Sequence, residues 1–353
     1  MKSLKTFLIW GIVVLVGVAS FTTLAISRGE QVSAVWMVTA AVSVYCIAYR
    51  FYSLYIAKYV MQLDPNRLTP AERHNDGLDY VPTHKGVLFG HHFAAIAGAG
   101  PLVGPVLAAQ MGYLPGTLWI IFGVVFAGAV QDMMVLFVSM RRDGKSLGDI
   151  VKQELGTVPG VIASIGILMI MVIIMAVLAL IVVKALVHSP WGTFTIAATM
   201  PIALFMGIYT RYIRPGKIGE ISIVGFILLM LAVIYGDNVA HSSIGHWFDL
   251  DGIQLTWAIM IYGFVASVLP VWLLLTPRDY LSTFLKIGTI VALAIGILIV
   301  SPALQMPAVT HFIDGSGPVF SGALFPFLFI TIACGAVSGF HALISSGTTP
   351  KML

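Results

Sequence analysis

The chain has 353 residues, of which 59% are hydrophobic and only 10% are charged, and its formal net charge is +4. Soluble domains are about 45–50% apolar and about 25% charged, so this chain has too few charges to cover a soluble globule. Uncharged runs such as 158–183 exceed the ~20 residues that cross a bilayer, which indicates a polytopic membrane protein.

The pattern predicts an all-α fold with about ten transmembrane helices in one transmembrane domain, 1–353. The first apolar stretch is too long for a signal peptide, so we interpret it as an uncleaved span. The predicted segments are 7–27, 33–60, 89–110, 116–139, 159–187, 192–210, 219–235, 255–275, 287–301 and 322–346.

The basic residues predict the orientation of these segments. With a cytoplasmic N-terminus, all of the 19 Lys and Arg residues except Arg28 and Lys184 fall at cytoplasmic connections. The outer connections 236–252 and 301–322 contain acidic residues and histidines instead. The positive charge therefore indicates topology in a lipid bilayer and gives no reason to expect a nucleic-acid partner.

The third segment contains helix breakers in its middle. Gly98-Ala-Gly-Pro101 lies seven to ten residues from His91, about 10–15 Å into the bilayer. Unwound backbone at that depth is tolerated where it lines a cavity, as in the discontinuous helices of secondary transporters. We predict that Pro101 opens a second half-helix, and that the free amides of Leu102, Val103 and Gly104 bind a carboxylate.

Close helix packing is the alternative explanation for these glycines. Gly100 and Gly104 form a small-xxx-small pattern, which lets helices approach each other. Packing accounts for the glycines but accounts poorly for Pro101 and Pro105. A dinucleotide-binding fingerprint is excluded, because the glycine spacing is wrong and no βαβ unit surrounds it.

The tenth and eighth segments have related features. Gly335 and Gly339 predict unwinding of the tenth, where hydroxyls suited to a hard cation such as Na⁺ follow. The alternative is that these hydroxyls bond back to their own helix. Pro270 in the eighth segment predicts either a break or a simple kink. The hydroxyl candidates are Ser338, Ser345 and Ser346, with Thr348 and Thr349.

Ionisable residues at membrane depth are candidates for ion coupling, because burying them is costly. His341 lies just past the predicted unwinding, and is a better candidate for a proton-binding group than His91 or His92, which lie at an interface. Asp132 is expected either to bind a proton or to pair with Arg141 or Arg142. Lys184 is near the end of its span and can snorkel.

Motifs for catalysis are absent from the sequence. It has no His-Glu-x-x-His, no nucleophile elbow and no phosphate-binding loop. Cys46 and Cys334 form neither a disulfide framework nor a zinc pattern. We therefore expect no enzyme, no metal and no cofactor, with H⁺ or Na⁺ as the coupling ion.

Four long motifs resemble the carbon starvation protein A family over nearly the whole chain. They are NDGLDYVPTHKGVLFGHHFAAIAGAGPLVGPVLAAQMGYLPG (75–116), GAVQDMMVLFVSMRRDGKSLG (128–148), LPVWLLLTPRDYLSTFLKIG (269–288) and FPFLFITIACGAVSGFHALISSGTTPK (325–351). The resemblance implies a bacterial inner-membrane secondary transporter that takes up peptides during carbon starvation. It also implies an inverted-repeat fold like that of the amino acid–polyamine–organocation superfamily, with a cation site near Ser345 and Ser346.

Because chains of this family are longer, the resemblance further implies an N-terminal part with an incomplete second repeat. The leading hypothesis is uptake of small carboxylate-bearing nutrients, most of all peptides, driven by an ion gradient. A pyruvate/H⁺ symporter is the first alternative. A membrane nutrient sensor is the second, although the short cytoplasmic loops offer little surface for signalling.

Overall fold

The computed structural model describes residues 31–353 and, before them, residues 12, 16–20, 22, 23, 27 and 29. The first predicted segment, 7–27, therefore lies outside the continuously described residues. Within 31–353 the secondary structure is helical, apart from one isolated β-bridge between Ser33 and Ala303. This confirms the all-α fold.

The described α-helices are labelled in chain order. They are α1 (Ala34–Ile47), α2 (Pro70–Arg73), α3 (Lys85–Ile96), α4 (Ala99–Ala108), α5 (Tyr113–Gly123), α6 (Ala129–Arg141), α7 (Leu147–Leu155), α8 (Thr157–Leu186), α9 (Pro190–Ile208), α10 (Ile218–Ala240), α11 (Gly252–Val268), α12 (Leu275–Val300), α13 (Leu324–Thr331), α14 (Ala333–Ala336) and α15 (Gly339–Gly347). Wider π-helical turns extend some of them, at Ala48–Ser53, Ile56–Val60, Val124–Gly128 and Tyr209–Ile213.

In the described part of the chain, 7 stretches are long and apolar enough to cross a membrane. They are Ala34–Val60, Lys85–Met111, Tyr113–Arg141, Thr157–Leu186, Pro190–Ile213, Ile218–Ala240 and Leu275–Val300. The first six of these stretches agree, within a few residues, with the second to seventh predicted segments, from 33–60 to 219–235. The predicted total of ten is not confirmed.

The eighth and ninth predicted segments, 255–275 and 287–301, have the wrong boundaries. Helix α11 ends at Val268, and Leu269 is extended (φ −71°, ψ 148°) because Pro270 disfavours helical backbone in the residue before it. The chain becomes helical again at Leu275, well before 287. Arg278 and Lys286 therefore lie inside α12 and not in a connection. The feature at Pro270 is a break and not a simple kink.

The tenth predicted segment, 322–346, consists of three short helices, α13 to α15. Ile332 interrupts the helical backbone first, and Val337 and Ser338 adopt extended conformations before α15 begins. Gly335 and Gly339 flank this second interruption, as the sequence predicted.

Connections that were predicted to share one side of the membrane do meet each other. At one end Val81 N–H donates to the Lys351 carbonyl (3.0 Å), and Arg73 pairs with Asp143 (2.7 Å). At the other end Leu114 N–H donates to the Ala308 carbonyl (3.0 Å). These contacts between distant parts of the chain agree with the predicted sides of the connections that they join.

Gly128 shows how closely these helices pack. A Cβ added there would overlap the Ala336 carbonyl oxygen of α14, whereas a Cβ added at Gly166 in α8 would meet no described atom within 4 Å. We expect Gly128→Ala to destabilise the protein by about 1–3 kcal/mol, the usual cost of overpacking. Gly166→Ala should leave stability unchanged or slightly higher. The thermal unfolding midpoint in detergent measures both, and equal midpoints would contradict this packing.

Candidate functional site

The third segment is broken at Ala97 and Gly98, between α3 and α4. Ala97 has φ −77° and ψ 60°, and Gly98 is extended at φ −90° and ψ −165°. The position of the break follows from Pro101, whose ring would clash with the carbonyl of Ala97, four residues earlier, in a continuous helix. The predicted broken helix is therefore present.

The second half-helix begins two residues earlier than predicted. Gly98 is its N-cap and Ala99 its first residue, so Pro101 occupies the third position and not the first. Proline fits there because the first-turn amides have no intrahelical partner in any case. The free amides are those of Ala99 and Gly100. The expected role of the amides of Leu102, Val103 and Gly104 is corrected, since these residues lie inside the hydrogen-bonded helix.

Gly100 and Gly104 serve packing. A Cβ added at Gly100 would lie 2.6 Å from Sγ of Cys334, and one at Gly104 would lie 2.5 Å from the Thr331 carbonyl oxygen. By contrast, the one described atom within 4 Å of a Cβ at Gly98 is the Ala95 carbonyl oxygen, at 4.0 Å. The two explanations of the glycines are therefore both correct, but for different residues.

Residues next to the break at Val337 and Ser338 pack against residues next to the break at Ala97 and Gly98. A Cβ at Gly335 would lie 3.5 Å from the Pro101 carbonyl oxygen. Ser338 caps α15 by accepting the Phe340 N–H (3.2 Å), and its carbonyl accepts Nε2 of Gln131 (2.7 Å). We call these two interruptions the paired breaks.

The hydroxyls of α15 have different environments. Ser346 Oγ donates back to the Ala342 carbonyl (2.8 Å), as the alternative interpretation of these serines predicted. Ser345 has an exposed fraction of 0%, and its Oγ has no hydrogen-bond partner among the described residues. A buried hydroxyl without a partner is costly, so Ser345 remains a candidate ligand oxygen.

Asp132 and His341 form a buried pair between α6 and α15. Nδ1 of His341 lies 3.2 Å from Oδ2 of Asp132, and the side chains are only 10% and 18% exposed. Neither His341 Nε2 nor Asp132 Oδ1 has another partner in the described residues. The expected pairing of Asp132 with Arg141 or Arg142 is wrong, because Arg142 instead pairs with Glu154.

His91 and His92 face different helices. Nδ1 of His92 lies 2.7 Å from Oγ1 of Thr349, beyond the end of α15. His91 is 5% exposed, and its Nδ1 lies 2.9 Å from Oδ2 of Asp279, although without the alignment of a hydrogen bond. His91 is therefore buried in the protein against α12.

Sequence reasoning missed a row of polar side chains on α12. Besides Asp279, Thr283 Oγ1 donates to the Gly90 carbonyl (2.7 Å), and Lys286 Nζ donates to the Ala94 carbonyl (2.6 Å). We call these three contacts the α3–α12 seam. Positions 279, 283 and 286 share one helical face, a signal that a helix starting near 275 would have displayed.

The connection before α3 contains a turn at Asn75-Asp76-Gly77. Asp76 Oδ1 accepts the N–H groups of Leu78, Asp79 and Tyr80, each at 2.9 Å. The bonds from Leu78 and Tyr80 lower the pKa of Asp76, because they favour the charged carboxylate.

A cavity of about 360 Å³ lies at the first turns of α3 and α12. Its wall includes Arg211, Thr276 and Lys351. The Arg211 guanidinium lies over the Trp272 ring, 4.3 Å from its centroid. The lining includes neither Gly98 nor Ser338, so the cavity is a rival location for a ligand. Among the described residues, no group of three or more His, Cys, Asp or Glu could hold a metal ion.

The profile of the carbon starvation protein CstA family matches residues 33–353. The chain is 69% identical over 348 residues to the peptide transporter CstA of Escherichia coli strain K12, covering 98% of this chain and 50% of that protein. It is 64% identical over 345 residues to the pyruvate/proton symporter BtsT of the same strain, covering 98% and 48%. The peptide transporter CstA of Campylobacter jejuni is 61% identical over 357 residues, covering 100% and 50%.

The chain spans about half the length of these curated relatives. No solved structure matches it.

Proposed function

We propose that this chain, which belongs to the carbon starvation protein CstA family, forms the part of a secondary transporter that binds a small carboxylate at the paired breaks. The observation behind the proposal is the interruption at Ala97 and Gly98 inside a membrane-spanning stretch. The amides of Ala99 and Gly100 are free there, and the positive end of the α4 dipole favours an anion.

Peptides are the first substrate class, because a relative at 69% identity is named a peptide transporter. Pyruvate is the second, because a relative at 64% identity is named a pyruvate/proton symporter. Each of these substrates has one carboxylate, which a single half-helix N-terminus can hold. The carboxylate is the shared chemistry on which the proposal depends.

The coupling ion in this proposal is H⁺, taken up by the Asp132–His341 pair. The pair is buried, and each side chain retains an atom without a partner among the described residues. Histidine exchanges protons near neutral pH, and ionisable groups inside a membrane are typical of proton relays. Coupling to Na⁺ through Ser345 is the alternative.

We place the protein in the bacterial inner membrane with a cytoplasmic N-terminus, since its basic residues collect at one end of the segments. The partners in this proposal are the lipid bilayer and a small molecule, without nucleic acid. The relatives are named as transporters, which supports transport and not catalysis.

The test uses the complete protein reconstituted into liposomes, with protein-free liposomes as the control. Labelled pyruvate and labelled di- and tripeptides are supplied under an inward pH gradient and then under a sodium gradient. We expect one of these substrates to accumulate under the pH gradient and to leak out after a protonophore is added. Accumulation of neither substrate under either gradient would contradict transport and favour the sensor hypothesis.

A further inference from the structure

The break at Ala97 and Gly98 exposes a backbone carbonyl that one lysine occupies. In a continuous helix the N–H of Gly98 would donate to the Ala94 carbonyl, four residues earlier. Here it donates to the Ile96 carbonyl instead (2.8 Å), so the Ala94 carbonyl is released. Lys286 Nζ donates to that released oxygen at 2.6 Å. The ammonium thus lies at the negative end of the α3 dipole.

In the part of the chain that the structure describes, Lys286 has no carboxylate in contact. Asp279 is the acidic residue closest along α12, two turns away, and it lies against His91. Arg278, nearer the start of α12, donates to the Tyr262 hydroxyl (2.9 Å) and adds positive charge to this helix. Within residues 31–353, no ion pair includes Lys286, although charged side chains in membrane spans usually have a partner.

The ammonium also has unused donors. It has three N–H groups, and one of them is accounted for by the Ala94 carbonyl. Four helices pack against α12: α1 and α9 have no charged residue, and α3 contributes His91 and His92. The acidic residues of α10, Glu220 and Asp237, pair with Arg214 and His241. Among the described residues, the Ala94 carbonyl is therefore the one hydrogen-bond partner of this half-buried cation.

The free amides of α4 follow shortly after this carbonyl along the chain. Ala94 and Ala99 are five residues apart, on either side of the break. The backbone at Gly98 borders open space, as a Cβ there would approach only the Ala95 carbonyl oxygen, at 4.0 Å, among the described atoms. A carboxylate in this space would accept from the amides with one oxygen and from the ammonium with the other.

We infer that Lys286 is the counter-ion of the substrate carboxylate. This rests on the proposed function and deepens it, because it restricts the substrates to molecules with a free carboxylate. Amides of the same size and shape are then rejected, since they leave the ammonium without its partner. Lys286 is a binding residue in this scheme, and the Asp132–His341 pair handles the proton.

The test measures binding to the complete, detergent-solubilised protein by calorimetry. The ligands are pyruvate and its amide, and a dipeptide with a free or an amidated C-terminus. The variant Lys286→Gln can still donate to the Ala94 carbonyl but has no charge, and Lys286→Met covers the case in which Gln is not accommodated. Lys286→Arg keeps the charge, and Lys184→Gln removes an exposed lysine from α8 as the matched control.

We expect the unaltered protein and Lys184→Gln to prefer the carboxylates over the amides. Lys286→Gln should lose affinity for the carboxylate by about tenfold or more and lose the preference, and Lys286→Arg should retain the preference. A folded Lys286→Gln or Lys286→Met protein with unaltered affinity and preference would overturn the inference. The inference would also be overturned if Lys286→Gln kept its preference for carboxylates over amides but lost accumulation under a pH gradient in the liposome experiment. Lys286 would then bind the proton. If the unaltered protein binds none of the four ligands, the proposed function itself fails.

Discussion

The double variant Gly98→Ala/Pro101→Ala is expected to lose uptake by about tenfold or more while remaining folded. In a continuous helix the Pro101 ring would clash with the Ala97 carbonyl, at a cost of about 3 kcal/mol, and Pro101→Ala removes that cost. Ala in place of Gly98 favours the helix by about a further 1 kcal/mol. Both changes favour a continuous helix through the break. The apparent affinity for the substrate then falls in proportion to the fraction of protein molecules in which this helix is still interrupted.

This pair of substitutions avoids a side effect that a change at Gly100 would introduce. A Cβ at Gly100 would press on Sγ of Cys334 at 2.6 Å, so a loss of uptake could come from disturbed packing. Among the described atoms, Gly98 has no such neighbour. Pro105→Ala is the matched control, because Pro105 lies inside α4 and its removal leaves the break intact. Unreduced uptake by the double variant, with a continuous helix seen in its structure, would disprove the mechanism.

The variant Asp132→Asn should lose proton coupling. The amide has the size of the carboxylate but cannot take up a proton at neutral pH, so the pair with His341 no longer cycles between charge states. Because Asn leaves no buried charge without a partner, we expect the protein to fold. Accumulation driven by a pH gradient should fall by about 5- to 150-fold, the range of coupling free energies of 1–3 kcal/mol.

An exposed pair of the same chemistry supplies the control for Asp132→Asn. Asp237 lies on α10 and His241 just after it, 3.5 Å apart, with side chains 73% and 80% exposed. Asp237→Asn should leave accumulation unchanged, because exposed pairs contribute little. Equal accumulation by Asp132→Asn and Asp237→Asn would show that the buried pair does not couple protons to transport.

The break could be predicted from sequence because its cause is local. Pro101 acts on the residue four positions earlier, and the low cost of glycine at Gly98 is a property of that residue alone. The start of the half-helix was missed by two residues, since proline is acceptable at any of the first positions that lack a hydrogen-bond acceptor. That error changes only the identity of the amides that have no hydrogen-bond partner within the helix.

The partners of the buried charges could not be predicted, because they depend on contacts between distant segments. From the sequence alone, Asp132 could equally form an ion pair with Arg141 or Arg142. Only the packing of α6 on α15 brings it to His341. Lys286 was assigned to a loop because charges in the stretch 277–286 masked a membrane helix. Those charges are compatible with a helix because Asp279 and Lys286 face α3 along the seam.

The most direct measurement is a cryo-electron microscopy structure of the complete protein with bound pyruvate or a bound dipeptide. The account predicts ligand density at the paired breaks, with the carboxylate on the amides of Ala99 and Gly100 and within hydrogen-bond distance of Lys286 Nζ. Ligand density confined to the cavity beside Arg211 and Thr276, with the breaks unoccupied, would contradict it.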